Sequence, residues 1–227
     1  ALLARFPTDA MALECKALLT EKAELAEMPT DGEEDEEESE GGDESSDEED
    51  DSDLNAEDSQ EFLERLAAVL AARPFDAILI EDYDKGALSP AVIDGLLEMA
   101  RERKIPVTVD PKFRHFDRYQ NVALFKPNLK ELRDGLGLLW EDGDEESMDR
   151  ALTEGLNRLQ AEWKPEQVLL TLSERGVRVK TAREDVQQPA HPREILDVSG
   201  AGDTVIAVAT VLLAQGVDPV SMAQVAN

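Results

Sequence analysis

A glycine-rich segment near the C-terminal end of the chain has the composition of an anion-binding site. Gly200, Ala201 and Gly202 precede Asp203 and an apolar run typical of a helix. Glycines at a helix start let backbone N–H groups face an anion, and the helix dipole adds partial positive charge there. Asp203, in the first helical turn, is placed to accept a proton from a hydroxyl group. The structural alternative is a helix start whose glycines serve close packing.

Three lysines each follow a predicted strand: Lys85, Lys112 and Lys126. In a parallel sheet covered by helices, ligands bind outside the carboxyl ends of the strands. We therefore expect the three ammonium groups at one edge, where they would hold phosphate groups as point charges. The other interpretation is three solvated lysines beside acidic partners.

Asn128 and Glu131 stand three residues apart at a predicted helix start, so both side chains can face one site. The same spacing fits a capping box, in which Asn128 caps the helix and Glu131 completes the box. The two interpretations are compatible, and both stay open.

Short apolar runs typical of buried strands alternate along the chain with segments of helical periodicity. The predicted strands are 77–80, 107–109, 122–125, 168–171 and 177–180. The predicted helices are 8–25, 59–72 with a capping box at Asp58 and Glu61, 90–104 with Ser89 as its cap, 147–161 and 201–215. This alternation predicts βαβ units, and hence a three-layer α/β/α fold with a mainly parallel sheet.

Four segments resemble, in order, signature blocks of the ribokinase-like (PfkB-type) carbohydrate kinases. They are Ile80-Glu-Asp-Tyr-Asp-Lys-Gly, Val109-Asp-Pro-Lys, Lys126-Pro-Asn-Leu-Lys-Glu and Asp197-Val-Ser-Gly-Ala-Gly-Asp-Thr, and the resemblance covers residues 75–227. The set is most similar to the subgroup that phosphorylates O1 of D-glycero-β-D-manno-heptose 7-phosphate in bacterial ADP-heptose and lipopolysaccharide synthesis. The resemblance implies a ribokinase-like fold, incomplete in this chain, and a magnesium- and ATP-dependent sugar kinase.

The resemblance also implies roles for individual residues. Asp203 corresponds to the family's catalytic base, and the backbone of Gly200, Ala201 and Gly202 to its anion hole. The segments expected to contact ATP are Asn128, Leu129, Lys130 and Glu131, with Glu131 helping to hold Mg²⁺ through water, and the adenine-side loop with Ser173 and Gly176. The residues expected at the phosphate groups and the sugar are Lys112, Lys85, Asp82 and Lys126.

The composition limits the possible partners. The chain has 227 residues and a net charge of −29, and residues 31–53 contain 16 acidic residues and no basic one. Such a surface repels DNA, RNA and anionic lipid, which excludes nucleic-acid and membrane partners. A single cysteine, Cys15, allows no intrachain disulfide. The only two histidines, His115 and His191, lack metal-ligand spacing and are expected on surface loops. The absence of a long apolar run and of a leader pattern predicts a cytoplasmic protein.

The acidic run and the family segments that are not found in this chain predict the domain organisation. Repulsion and the lack of apolar residues predict a disordered insertion at 27–57. Residues 1–26 are interpreted as a helical remnant of a truncated N-terminal half, and 58–227 as the catalytic core. The family's sugar-binding signature and lid are not found, so we interpret the chain as a fragment. We expect little activity from the fragment alone and a homodimer for the full-length protein.

One residue departs from the family pattern. Asp84 stands where a small residue is usual, and a carboxylate near a phosphate site weakens binding unless Lys85 or Mg²⁺ offsets it. Two other functions stay open. One is another ribokinase-like kinase, acting on fructose phosphate, ribose or a nucleoside. The other is a non-catalytic protein whose acidic arm binds basic partners, against which the intact Asp203 and its glycines argue.

Overall fold

The computed structural model of the protein describes residues 2–4, 52–141, 143–190 and 200–227, the first of these segments as backbone only. The predicted helix at 8–25, most of the acidic run, His191 and residues 197–199 lie outside the described residues. Within the described part, no helix is long and apolar enough to cross a membrane.

Seven strands form one sheet in the order of the chain. They are β1 Leu2–Ala4, β2 Ala77–Glu81, β3 Val107–Asp110, β4 Leu124–Phe125, β5 Gln167–Thr171, β6 Val177–Thr181 and β7 Asp185–Gln188. Strands β2 to β5 are parallel, and one row across them pairs Ile80 with Val109, Val109 with Phe125 and Phe125 with Val168. Antiparallel strands lie outside this centre, β1 against β2 and the pair β6 and β7 beyond β5.

Helices cover both faces of the sheet, which confirms the predicted α/β/α layers. They are α1 Ala56–Ala72, α2 Pro90–Arg103, α3 Leu129–Leu136, α4 Glu145–Glu162, α5 Ala201–Ala214 and α6 Pro219–Ala226. Because successive strand residues point to opposite faces, β2 contributes Ile78 and Ile80 to one core and Leu79 to the other. The first core packs against α1 to α4, and the second against α5 and α6.

Two local predictions are corrected by the structure, and one strand is added to those predicted. Helix α1 begins at Ala56, because Asn55 is the N-cap and accepts the Asp58 N–H at 2.9 Å; Asp58 was predicted as the cap. Strand β7 was not predicted, because Asp-Val-Gln-Gln contains few strand formers; its pairing with β6 is accompanied by an Arg178–Asp185 ion pair. His115 was expected on the surface. It is buried in a 3₁₀ turn, with Nε2 3.2 Å from Asp53 Oδ1.

Candidate active site

The start of α5 has the conformation expected of an anion-binding site. Gly200 is the N-cap, with a φ of 73° in the left-handed region that favours glycine. The helix begins at Ala201, as predicted, and Asp203 lies in its first turn. Backbone N–H groups in a first turn have no intrahelical partner and remain available to a ligand. The structure thus places Asp203 beside the backbone N–H donors of this first turn.

A buried ion pair lies beneath this helix start. Lys126 Nζ lies 2.9 Å from Asp110 Oδ2, and the two side chains are 3% and 9% exposed. A Cβ atom on Gly202 would lie 3.5 Å from Lys126 Nζ and 4.0 Å from Asp110 Oδ2, so the pair is close to the helix backbone. Burial raises the pKa of Asp110, against the opposing effect of Lys126. Asp110 Oδ1 has no hydrogen-bond partner among the residues that the structure describes.

The start of α3 is a complete capping box, as one of the two interpretations predicted. Asn128 Oδ1 accepts the Glu131 N–H, and Glu131 Oε2 accepts the Asn128 N–H, both at 2.8 Å. Glu131 is buried, and its Oε1 accepts a hydrogen bond of 2.5 Å from Lys112 Nζ. Burial lowers the pKa of Lys112, but the hydrogen bond and charge of Glu131 outweigh it and raise the pKa overall. Both carboxylate oxygens of Glu131 therefore have protein partners.

The two segments expected to contact ATP are adjacent. Asn128 forms a parallel bridge with Thr171 at the end of β5, and Ser173 follows in a 3₁₀ turn with a φ of 52°. Within the first segment, Leu129 packs against the larger core, whereas the side chain of Lys130 is exposed.

The backbone conformation and the close neighbours of residue 176 require a glycine at this position. Gly176 has a φ of 85°, and a Cβ there would lie 2.1 Å from the Gln188 carbonyl oxygen. The glycine was expected to allow a close approach of the nucleotide, but the close approach that the structure shows is that of strand β7.

Gly176→Ala is expected to lower the free energy of unfolding by more than about 2 kcal/mol, because a backbone clash adds to left-handed strain. Gly216→Ala is a matched control, since Gly216 also has a positive φ but open space around its Cβ. Chemical denaturation of both variants measures the difference, and equal losses would contradict the role of β7.

The loop after β2 reaches the Asp203 carboxylate. The Tyr83 hydroxyl donates a hydrogen bond of 3.1 Å to Asp203 Oδ2. Burial, with the nearby charges of Glu81 and Asp203, raises the pKa of Tyr83 to about 12, so the hydroxyl is protonated and a donor at neutral pH.

Asp82 holds this loop in place. Its Oδ2 accepts a hydrogen bond of 2.7 Å from Tyr119, and its Oδ1 accepts the Asp84 N–H at 2.9 Å. Burial and the charge of Asp82 raise the pKa of Tyr119. With both oxygens engaged, the observed contacts of Asp82 are to the protein, although a substrate contact was predicted.

The atypical Asp84 is accommodated by a different residue from those expected. It adopts a φ of 58°, which aspartate tolerates better than most residues. Its Oδ1 lies 2.8 Å from Arg114 Nε, so arginine offsets the carboxylate for which Lys85 or Mg²⁺ was expected. Lys85 itself is exposed.

The structure thus brings together most of the predicted site around α5. The residues at the carboxyl ends of β2 to β5 are Asp203, the three residues before it, Lys126, Lys112 and the Asn128–Glu131 segment. Sequence reasoning did not assign roles to Asp110, Tyr119 or Arg114. The sequence could have indicated a role for Asp110, because this residue ends a buried strand beside a predicted phosphate ligand. No sequence pattern marks Tyr119 or Arg114. Among the described residues, no group of three or more potential ligands forms a ready metal site.

Comparisons with known proteins identify the family and the fold of the chain. The sequence pattern of the pfkB family carbohydrate kinases matches residues 38–227. The chain belongs to this family. The resemblance inferred from the four sequence blocks is therefore confirmed.

The chain is similar in sequence to curated bifunctional HldE proteins. It is 39% identical over 154 residues to that of Pelobacter propionicus, covering 67% of this chain and 30% of the relative. It is 34% identical over 178 residues to that of Campylobacter jejuni subsp. doylei, covering 77% and 37%. The chain thus spans about a third of the length of these curated relatives.

Solved structures confirm the ribokinase-like fold. Phosphofructokinase-2 from Escherichia coli, in complex with potassium, matches with a TM-score of 0.63 at 18% identity, over 77% of this chain and 54% of that one. Arabidopsis thaliana ribokinase, complexed with ribose and ATP, matches with a TM-score of 0.53 at 18% identity, over 77% and 51%. At these identities the likeness establishes the fold alone.

Proposed function

We propose that the protein transfers the γ-phosphoryl group of ATP to a hydroxyl of a sugar phosphate, most specifically O1 of D-glycero-β-D-manno-heptose 7-phosphate. The observation that carries the proposal is the position of Asp203 at the glycine-lined start of α5, above the Lys126–Asp110 pair. The similarity to HldE proteins favours the heptose phosphate among the possible acceptors.

In this mechanism Asp203 accepts the proton of the attacking hydroxyl. The N–H groups of Gly202 and its neighbours face the transferring phosphoryl group, whose negative charge lies on its equatorial oxygens. Lys112 is protonated and fixed by Glu131, so it supplies a positioned positive charge at the same edge. These groups act by position and charge, which is how proteins accelerate phosphoryl transfer.

The described residues fit a magnesium-bound nucleotide. Asp110 provides a buried carboxylate oxygen that has no partner within the described part of the chain, at the edge where the lysines lie. Asp110 would help to hold Mg²⁺, and the bound ion would supply positive charge that offsets the negative charge of the nucleotide. A cytoplasmic location and a homodimer remain part of the proposal.

The acceptor is tested by comparing kcat/KM for a panel of sugars on the full-length protein. We expect the heptose 7-phosphate to exceed fructose 6-phosphate, ribose and adenosine by at least about 100-fold, since a site with fixed polar groups discriminates strongly. A preference for fructose 6-phosphate would favour the other ribokinase-like activity. Absence of phosphoryl transfer to any acceptor would favour the alternative of a non-catalytic protein whose acidic arm binds basic partners.

Tyr83→Phe is expected to lower kcat about five-fold, with KM for both substrates nearly unchanged. The variant removes the hydrogen bond that orients Asp203, and one such bond contributes about 1 kcal/mol. Folding should be unaffected, because Tyr83 is 58% exposed. Steady-state kinetics separate the two parameters. A rise in the sugar KM with constant kcat would instead place Tyr83 in the sugar pocket.

A further inference from the structure

Tyr83, whose hydroxyl bonds to Asp203, lies on a loop outside any helix or strand. The loop comprises residues 82–89, between β2 and α2, and Tyr83 is 58% exposed. Exposed side chains change rotamer rapidly, and irregular loops move more than the elements they connect. Packing around the Tyr83 ring is therefore not enough to hold its hydroxyl 3.1 Å from Asp203 Oδ2. The residues on either side of Tyr83 must supply the rest of the restraint.

Both neighbours of Tyr83 in the sequence are aspartates with fixed partners. Asp82 Oδ2 accepts a hydrogen bond of 2.7 Å from the Tyr119 hydroxyl, and Asp84 Oδ1 lies 2.8 Å from Arg114 Nε. The first contact is buried, with Tyr119 0% and Asp82 4% exposed. Both partners come from the connection between β3 and β4. One segment of the chain thus holds the residue before Tyr83 and the residue after it.

The two contacts also fix the backbone at Tyr83. Asp82 Oδ1 accepts the Asp84 N–H at 2.9 Å, so the side chain that Tyr119 holds closes a turn across Tyr83. Asp84 has a φ of 58°, a conformation that costs free energy in residues other than glycine and persists where the surroundings enforce it. Loss of either contact would let the turn relax and would move the Tyr83 side chain.

The segment that supplies the two partners is itself held by the larger core. It comprises residues 113–119, and both Phe116 and Tyr119 belong to that core. The Phe116 ring packs edge-on against Phe125 and Trp163, with centroids 5.1 and 5.4 Å apart. A group that positions a reacting side chain must be more rigid than the loop it holds, and this segment meets that requirement.

We propose that Tyr119 and Arg114 are positioning residues for phosphoryl transfer. Through Asp82 and Asp84 they hold Tyr83 where its hydroxyl orients the Asp203 carboxylate toward the acceptor. They act through Tyr83 and not by contact with the substrate. This inference rests on the proposed function, in which Asp203 is the base.

A double-mutant cycle on the full-length protein, with ATP, Mg²⁺ and the heptose 7-phosphate, tests the inference. Tyr119→Phe and Arg114→Gln are each expected to lower kcat about three- to five-fold, with KM for both substrates nearly unchanged. In a Tyr83→Phe background each should lower kcat by less than about 1.5-fold, because the hydrogen bond that they support is already absent. A merely structural role would lower kcat by the same factor in both backgrounds.

Amide hydrogen exchange, followed by mass spectrometry of peptides that cover residues 82–89, gives a measurement that does not depend on turnover. Exchange in this loop is expected to become at least about five-fold faster in Tyr119→Phe and in Arg114→Gln, because the turn then opens more often. It should stay unchanged in Tyr83→Phe, whose hydroxyl bonds to Asp203 and not to the loop.

Thr108→Val is the matched control for the loss of a buried hydroxyl. Thr108 is 0% exposed, and its Oγ1 lies 2.7 Å from Thr210 Oγ1, on the face of the sheet opposite to the larger core. Thr210 also donates a hydrogen bond to the Ile206 carbonyl oxygen, so it keeps a partner in the variant. Both kcat and loop exchange should stay within about two-fold of the wild type.

Tyr119→Phe leaves Asp82 Oδ2 buried without its donor, so folding of this variant is checked by its melting temperature. If it does not fold, Arg114→Gln provides the test, because the Arg114 side chain is 36% exposed. Equal losses of kcat in both backgrounds, or unchanged loop exchange in the folded variants, would overturn the inference alone. A wild-type protein that transfers no phosphoryl group to any acceptor would overturn it together with the proposed function.

Discussion

Asp203→Asn is expected to lower kcat by about 10²- to 10⁴-fold, the range that general-base catalysis contributes. Asparagine keeps the shape of the side chain and an oxygen that can accept the Tyr83 hydrogen bond, but it cannot take the proton of the acceptor hydroxyl. Stability should change by less than about 1 kcal/mol, because the loss is limited to a favourable charge in the first turn of α5. Steady-state kinetics and a melting curve on the full-length protein measure both effects.

The control for this variant is Asp134→Asn, which removes an exposed carboxylate from α3. It has the same change in charge and should retain the wild-type kcat. If Asp203→Asn also keeps kcat within about two-fold, Asp203 is not the base. A folded variant that binds ATP normally but does not turn over would support the assignment most clearly.

Lys126→Met is expected to lower the free energy of unfolding by about 3–5 kcal/mol, the usual effect of removing one partner of a buried ion pair. The reason is the buried Asp110 carboxylate, which keeps its desolvation cost and loses its 2.9 Å contact with Nζ. Chemical denaturation measures the loss.

Adding Asp110→Asn to Lys126→Met should recover most of this stability, because no buried charge is then left uncompensated. Lys130→Met serves as the matched control, since Lys130 is exposed and its replacement should change stability by less than about 0.5 kcal/mol. If Lys126→Met is as stable as Lys130→Met, the buried Lys126–Asp110 pair does not contribute to stability as described.

Much of the fold could be predicted because the relevant signals are local. Apolar runs identified β2, β3 and β5, and the glycines before Asp203 identified the start of α5 at Ala201. The rule that ligands bind at the carboxyl ends of parallel strands then placed Lys126 and the Asn128–Glu131 segment at one edge. These predictions needed no knowledge of side-chain contacts.

The roles of individual side chains could not be predicted in the same way. The pattern treated Lys85, Lys112 and Lys126 alike, because each follows a strand. In the structure Lys126 is buried against Asp110, Lys112 is fixed by Glu131, and Lys85 is exposed. Burial and pairing depend on contacts between distant segments, which a single sequence does not display.

The loop that carries Tyr83 illustrates the same limit. Its conformation depends on Tyr119 bonding to Asp82 and on Arg114 pairing with Asp84. Both partners come from the segment between β3 and β4, which has no periodic pattern. The atypical Asp84 was recognised from the sequence, but its partner was not, because that contact joins two irregular segments.

Phosphorus-31 NMR on the full-length protein with ATP, Mg²⁺ and D-glycero-β-D-manno-heptose 7-phosphate tests the central claim most directly. We predict a new phosphate ester signal, coupled to the anomeric proton, that grows in equal amount with ADP and is nearly absent with Asp203→Asn. Release of inorganic phosphate without a new ester, or an equal rate of ester formation by Asp203→Asn, would contradict the account.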